Sequence, residues 1–254
     1  MKFKLLALLL AVPAGPLLAQ SGPDSSADPD LIPPEVAANA IALREQALQD
    51  NLSVDIVESV STEVGPRRMG TEGDRRVIAW AQDKFRELGF DRVWTEPVEL
   101  DRGWIRGEAK AEIIEPFPHN IVMTALGYSV GTDGDLVGEI VEFPSYDDLL
   151  AVPEGDSLRG KIAFISYSMP EYVNPEDGSK RGAYGEGTRA RGKGRVEAAK
   201  RGAEALVIRS VGTSHNRFGH TGSGYNYEED VPKIPAAAVS APDAMLIQNM
   251  LRRG

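Results

Sequence analysis

The residues of this chain that could bind a metal are few and widely spaced. There are three histidines, His119, His215 and His220, and no cysteine. The only adjacent glutamates, Glu228 and Glu229, lie in a polar stretch away from any strand-like segment. A hydrolytic zinc site needs imidazole and carboxylate ligands that converge on the ion, with one position open for water. Because the histidines are scattered, we expect no catalytic metal site in this chain.

Other hydrolytic chemistries also lack their defining residues. Without cysteine there is no thiol nucleophile, and no G-x-S-x-G element exposes a serine. Five glycines crowd residues 182–194, but no strand leads into a G-x-x-x-x-G-K-[ST] phosphate loop. The sequence therefore offers no support for a serine or cysteine hydrolase or for a nucleotide-binding loop.

Two residues are candidates for contact with a substrate. His220 lies five positions after His215 in a loop rich in glycine and serine. The loop either presents His220 to a substrate or is an exposed polar turn, and we expect neither histidine to bind metal. Arg67 follows Gly65-Pro66, where it either satisfies carbonyl groups at a helix end or borders a cleft.

A basic stretch separates two of the predicted strands. We interpret residues 170–194 as a long loop because the stretch is rich in glycine and arginine, and loops of that length are usually either functional or disordered. Such a loop either attracts an acidic substrate or partner or is solvated and mobile. The basic residues are Lys180, Arg181, Arg189, Arg191, Lys193 and Arg195.

The apolar pattern predicts the elements that position these residues. Apolar residues at helical spacing predict helices from Pro34, from Ser53 and over residues 71–88. Alternating or continuous apolar runs predict strands, and we expect His119 at a strand edge. A helix-and-strand series of this kind indicates an α/β (α+β) fold. Predicted strands cover residues 91–100, 107–114, 120–126, 136–143, 161–167, 205–208 and 236–239, and later helices cover 147–150, 195–201 and 243–251.

Composition and charge narrow the class of protein. The chain has 254 residues, of which 42% are hydrophobic and 26% charged, as in ordinary globular proteins. Its formal net charge of −10 opposes binding to nucleic acid, which depends on neutralising phosphates with lysine and arginine. We therefore expect no nucleic-acid partner.

The N-terminus has the pattern of an export signal. Lys2 and Lys4 precede an apolar run, and Leu17-Leu-Ala-Gln20 offers a cleavage site. We interpret residues 1–19 as a signal peptide and residues 20–33 as a linker rich in serine, aspartate and proline. The apolar run is too short to span a bilayer. We therefore expect a periplasmic or secreted protein without a membrane span.

Three groups of residues occur in an order typical of one enzyme family. The first is Val64-Gly-Pro-Arg67 with Gly70 and a helix ending in Glu87-Leu-Gly89. The second is Leu158-Arg-Gly-Lys-Ile162 before an apolar strand, and the third is residues 196–211 with His220-Thr-Gly222 and Val231-Pro-Lys-Ile-Pro235. Together they resemble secreted zinc exopeptidases of the carboxypeptidase Q type, including their protease-associated domain. The resemblance runs from about residue 34 to residue 254.

The resemblance implies a peptidase that uses two zinc ions to release single residues from short peptides. It is also compatible with a homodimer. In such enzymes the ligands follow the protease-associated domain as His-x-Asp, a bridging Asp, Glu-Glu, and a later Asp and His. None of this series is present here, so we expect no metal ligands or catalytic residues in this chain and no activity by itself.

The same resemblance implies a division of the chain. Residues 34–127 are similar to the opening of the zinc-peptidase domain, and residues 128–254 are similar to a β-rich protease-associated domain. Two hypotheses follow. The chain is the N-terminal portion of an exopeptidase whose metal-binding half lies elsewhere, or it is a stand-alone module that binds peptides or proteins without catalysis.

Overall fold

The fold is given by a computed structural model that describes residues 32–170, 174, 176, 178, 183–224 and 227–254. The predicted signal peptide and nearly all of the predicted linker lie outside these residues. The described part forms two compact units. One comprises residues 32–67 and Arg76–Val93, and the other comprises Arg68–Arg75 and Trp94–Gly254.

The first unit is helical. It contains α1 (Pro34–Gln49), α2 (Leu52–Ser59) and most of α3 (Glu72–Glu87), and α2 continues as a π-helical turn over Val60–Val64. That turn ends at Gly65, whose φ of 70° suits a residue without a Cβ. The three predicted helices are confirmed.

The predicted strand over residues 91–100 is wrong, since these residues form no regular element. The sequence alternates, but no neighbouring segment pairs with it, and a strand needs such pairing to satisfy its backbone groups. Its apolar side chains are accordingly exposed, with Trp94 at 65% and Val98 at 78%.

The second unit contains a two-stranded antiparallel sheet and a five-stranded mixed sheet. The small sheet pairs β1 (Ala111–Ile113) with β2 (His119–Ile121). In the large sheet the strand order is β3-β7-β6-β5-β4, with β4 to β7 parallel and β3 antiparallel to β7. The bounds of its strands are β3 Met123–Ala125, β4 Glu139–Phe143, β5 Lys161–Ile165, β6 Ala205–Arg209 and β7 Ala236–Val239.

Helices follow the strands of the large sheet. They are α4 (Tyr146–Leu150), α5 (Ala183–Lys200) and α6 (Ala241–Arg253). Six of the seven predicted strands thus appear in the two sheets, some of them with different bounds, and the predicted α/β class is confirmed. The predicted strand 120–126 is split at Val122, because the backbone N–H of Val122 donates to Asp243 of α6 over 3.0 Å. His119 begins β2, as expected for a strand-edge residue.

The large sheet is buried on both faces. One cluster of buried residues includes Leu149 of α4, Ala198 of α5 and Leu206 of β6. A second cluster includes Phe164 of β5 and Ile247 of α6. The sheet therefore has its own core within the second unit.

The predicted loop over residues 170–194 is wrong for its second half, because α5 begins at Ala183. Two glycines of α5, Gly187 and Gly194, lie where a side chain would come too close to neighbouring residues. A Cβ on Gly187 would lie 2.9 Å from Cγ1 of Val211, and one on Gly194 would lie 3.0 Å from Cδ2 of Leu206. Glycine lowers helix propensity, but here it lets α5 approach the residues around the sheet closely.

The predicted domain boundary after residue 127 remains a prediction. In the structure β3, which precedes that boundary, pairs with β7, which follows it. Within the part of the chain that the structure describes, no helix is both long and apolar enough to cross a bilayer.

Candidate functional site

The predicted basic loop contains arginines that lie on α5 in the structure. One of them, Arg189, pairs with residues of α4 and of α5. Arg189 Nη2 lies 2.6 Å from Asp147 Oδ1, and Arg189 Nη1 lies 2.9 Å from Glu186 Oε2. The guanidinium also stands over the Tyr146 ring, 4.7 Å from its centroid. The hydrogen bond from Arg189 lowers the pKa of Asp147. Arg189 therefore joins α5 to α4.

Arg201, the residue directly after α5, also contacts the α4 region and is buried. Its Nε donates to Val152 O over 2.8 Å, and its Nη2 donates to Leu150 O over 3.0 Å. Nη1 lies 2.8 Å from a carboxylate oxygen of Glu197. The side chain thereby satisfies carbonyl groups at the C-terminal end of α4, which the helix itself cannot pair.

Arg195 is the most deeply buried of the basic residues, with 1% of its surface exposed. Nη1 donates to Gly127 O over 2.9 Å, and the guanidinium lies 4.9 Å from the centroid of the Tyr227 ring. Burial lowers the pKa of Arg195. Lys180 and Arg181 lie outside the described residues. The interpretation of residues 183–194 as a mobile basic loop is therefore corrected.

The segment that carries His220, residues 219–224, is anchored along the edge strand β3. The backbone N–H of His220 donates to Ser210 Oγ over 2.8 Å, and Thr221 Oγ1 donates to Ala125 O over 2.9 Å. Gly127 N donates to Gly222 O over 2.8 Å. The His220 segment thus has a well-defined backbone, and the side chain of His220 is exposed.

Two glycines let this segment pass close to α5. A Cβ on Gly222 would lie 2.6 Å from Arg191 Nε, and a Cβ on Gly224 would lie 2.8 Å from Arg195 Cζ. The arginines of α5 and the His220 segment are therefore packed together, a relationship that their sequence separation does not reveal. His215 is exposed earlier in the same connection.

Arg67 lies in the other compact unit. Its Nη1 donates to Gly65 O over 2.9 Å, and the residue is exposed. Gly65 ends the π-helical turn, so this bond is of the helix-end kind anticipated as the structural alternative for Arg67. The substrate-side role of Arg67 and of His220 remains a prediction.

Among the described residues, no three histidine, aspartate or glutamate side chains converge in a way that could hold a metal ion. His119 lies in β2, whereas His215 and His220 lie in the connection after β6.

The structure also reveals an arginine–aromatic cluster that the sequence reasoning missed. We use this name for Arg68, Arg102, Trp104, Arg106 and Tyr128. The Arg68 guanidinium lies 4.9 Å from the Trp104 centroid and 4.7 Å from the Tyr128 centroid. Arg102 lies 3.8 Å from Tyr128, and Arg106 lies 5.3 Å from Trp104.

Residues that follow β3 position the two rings of this cluster. Trp104 Nε1 donates to Ser129 O over 2.8 Å, and Tyr128 has a φ of 65°, which is uncommon for a residue with a side chain. Burial and the nearby charge of Arg68 lower the pKa of Arg106. The described residues provide no ion pair to the three arginines, so the cluster presents a cationic surface suited to a carboxylate or another anion.

A local signal for this cluster exists in the sequence. Arg102, Trp104 and Arg106 alternate at a spacing of two. In an extended segment, such residues project to the same side. Arg68 and Tyr128 could not be assigned to the cluster in this way, because only the fold brings them to that segment.

The comparisons with known proteins find similarity to carboxypeptidase Q and to a peptidase M28 precursor. The chain is 35% identical to carboxypeptidase Q of Xenopus laevis and 33% identical to that of Homo sapiens, in each case over 221 residues and 87% of this chain. It is also similar to the crystal structure of a peptidase M28 precursor from Shewanella amazonensis SB2B, with a TM-score of 0.76 and 44% identity. That match covers 85% of this chain and 47% of the other.

These matches cover only part of each relative. The chain spans 44% of the length of the Xenopus laevis protein and 43% of the Homo sapiens protein. No protein-family model matches the chain.

Proposed function

We propose that this chain, a homologue of carboxypeptidase Q, is the N-terminal and protease-associated portion of an exported zinc-dependent exopeptidase that acts on short peptides. The observation that carries the proposal is the uneven coverage of the match. The similarity extends over 87% of this chain but over only 44% of the Xenopus laevis relative. In our proposal, the metal-binding half of the enzyme belongs to the part that this chain does not cover.

The donor set of the chain supports this division. Zinc is implied by the family resemblance, but the described residues offer no converging set of three imidazole or carboxylate ligands. A zinc ion in a hydrolytic enzyme needs such a set, together with an open position for water. The residues that the structure describes therefore do not fit a catalytic zinc, and we assign no catalytic step to them.

In this proposal the chain contributes to binding of the peptide substrate rather than to catalysis. A short peptide carries a carboxylate at its C-terminus, and arginines stacked on aromatic rings are well suited to bind such a group. The arginine–aromatic cluster provides this chemistry, and the anchored His220 segment adds an exposed imidazole. We assign to the second unit the role of shaping access for peptides.

The experiment that tests this proposal measures peptidase activity of the chain with added zinc against a panel of dipeptides. We expect no turnover above the buffer control and no tight zinc binding by calorimetry. Zinc-dependent turnover would show that the chain builds a metal site of its own, and the proposal would be wrong.

The alternative is a stand-alone module that binds peptides or proteins without catalysis. One observation favours it, namely that the large sheet is buried on both faces by residues of its own unit. Reading the DNA beyond the codon for Gly254 separates the two. An in-frame continuation encoding His-x-Asp supports the exopeptidase portion, whereas a genuine stop with no ligand-encoding sequence nearby supports the module.

Export is part of the proposal because of the predicted signal peptide. Expression of the whole reading frame followed by fractionation tests it. We expect the processed chain in the periplasm or medium, and an unprocessed chain retained in the cytoplasm would contradict the assignment.

A further inference from the structure

A small cavity lies where two neighbouring parallel strands of the large sheet end. Its volume is about 240 Å³, and its lining includes Ser168 and Met169 after β5, Arg209 at the end of β6, and Thr213 in the following connection. In open α/β sheets, ligands bind in crevices at the carboxyl ends of the strands. The cavity therefore lies at the end of the sheet where such folds bind ligands.

A larger depression at the opposite end of the strands has a different character. It has a volume of about 520 Å³ and is lined by the connections that precede β4, β6 and β7. No buried arginine, lysine or carboxylate lines it. The smaller cavity is thus the one that combines a suitable place in the fold with a buried charge.

That charge belongs to Arg209, of which only 6% is exposed. Within the part of the chain that the structure describes, its side chain makes one hydrogen bond, from Nη1 to Ala241 O over 3.2 Å. The buried Nε has no hydrogen-bond partner among the described residues. Burial lowers the pKa of Arg209 below its usual value.

No described carboxylate neutralises Arg209. Asp243, the buried acid at the start of α6, is already bonded elsewhere. It accepts from Val122 N over 3.0 Å and from Ser240 Oγ over 2.6 Å, and it pairs with Arg217 Nε over 3.0 Å. A buried guanidinium without a counter-ion is costly, because the lost hydration is not replaced. An anion in the adjoining cavity would remove that cost.

We propose that this cavity binds the carboxylate group of a small molecule of amino-acid or short-peptide size, held by Arg209. A guanidinium binds a carboxylate through charge-assisted hydrogen bonds, which are stronger than hydrogen bonds between neutral groups. Ser168 and Thr213 supply hydroxyl groups in the same lining. Since drug-sized ligands occupy about 300–1,000 Å³, this cavity suits a smaller molecule.

The proposal does not rest on the proposed function. It uses neither zinc nor the His220 segment, and it applies whether the chain belongs to an exopeptidase or is a stand-alone module.

The test is an NMR titration of the ¹⁵N-labelled chain with N-acetylglycine, with N-acetylglycinamide as the uncharged counterpart and inorganic phosphate as a second anion. We expect saturable shifts of the amide signals of Ser168, Gly212 and Thr213 with N-acetylglycine and none with the amide. Arg209→Met should weaken binding by about tenfold or more, and Thr213→Val by about threefold. Arg252→Met, which changes an exposed arginine at the end of α6, is the matched control and should bind like the unaltered chain.

Three results would overturn the proposal. They are equal binding of the amide, unchanged binding by a folded Arg209→Met variant, and absence of saturable shifts with N-acetylglycine. Phosphate binding equal to or tighter than carboxylate binding would replace the carboxylate assignment with a general anion site. If Arg209→Met does not fold, Ser168→Trp fills the cavity from an exposed position, and retained binding in that variant would equally refute the site.

Discussion

Arg189 of α5 and Asp147 of α4 form a two-point ion pair, with Nη2 2.6 Å from Oδ1 and Nη1 3.0 Å from Oδ2. The pair joins two helices through residues that are 42 positions apart in the sequence. Because the Arg189 hydrogen bond lowers the pKa of Asp147, the carboxylate is more readily ionised in the folded chain than in the unfolded chain.

The first prediction concerns acid stability. The contribution of this pair is fully present above the unfolded pKa of Asp147, near 3.8, and is lost as the pH falls through the lower folded pKa. We expect Asp147→Asn to have a lower urea midpoint than the unaltered chain at pH 7. The difference between the two midpoints should be smaller at pH 3. Glu72→Gln, which removes an exposed pair with Arg75, should show a smaller effect. A constant gap for Asp147→Asn at both pH values would contradict the prediction.

The second prediction concerns Arg201. Replacing it with methionine leaves Val152 O and Leu150 O without their donor, whereas Glu197 keeps its second ion-pair partner, Lys200. A buried polar group left without a partner costs about 1–3 kcal/mol. We expect a loss of that order in the free energy of unfolding, measured by urea titration. Arg252→Met, at an exposed site, should change it by less than about 0.5 kcal/mol, and equal effects of the two changes would refute the assigned role.

The third prediction compares two glycines on α5. Gly185 has open space around a built Cβ, whereas a Cβ on Gly187 would lie 2.9 Å from Val211 Cγ1. Gly185→Ala should stabilise the chain by up to about 1 kcal/mol because alanine favours the helix. Gly187→Ala should destabilise it by about 1–3 kcal/mol through overpacking. Thermal unfolding of both variants checks this, and a stabilising Gly187→Ala would show that α5 does not pack closely there.

The fourth prediction concerns Tyr227, whose hydroxyl donates to Ile234 O over 2.7 Å and accepts from Ile234 N over 3.1 Å. Burial raises the pKa of Tyr227, so its stabilising contribution is present below the unfolded pKa, near 10.0, and is lost as the pH rises above that value. Tyr227→Phe should cost about 1–3 kcal/mol at pH 7 because two backbone groups lose their partner. The cost should shrink above pH 10, as followed by urea unfolding. A cost that grew with pH would reverse the assigned direction.

The candidate site was only partly predictable. The glycine- and serine-rich composition around His215 and His220 made an exposed loop one of the two alternatives, and the structure exposes both residues. The arginine–aromatic cluster and the Arg209 cavity were not foreseen. Each joins residues from distant parts of the chain, and a buried arginine at the end of an apolar strand has no local signature beyond its position.

The sequence by itself determined the elements whose stability is local. The apolar run Ala236–Val239 is β7, as predicted, and Ser240 caps the following helix by accepting a hydrogen bond from Asp243 N. These features depend on apolar periodicity and capping within a few residues, which are visible in a sequence. The motifs that resemble carboxypeptidase Q are likewise local in sequence, and the comparisons confirmed the resemblance of the chain as a whole.

Only the tertiary structure decided where distant segments meet. Residues 183–194 became helix rather than loop because their glycines and arginines contact the sheet, α4 and the His220 segment. Residues 91–100 alternate like a strand but have no partner, so their backbone forms no sheet. In both cases long-range packing or pairing outweighs the local preference, because the burial and hydrogen bonds that stabilise an element come from residues far away in the chain.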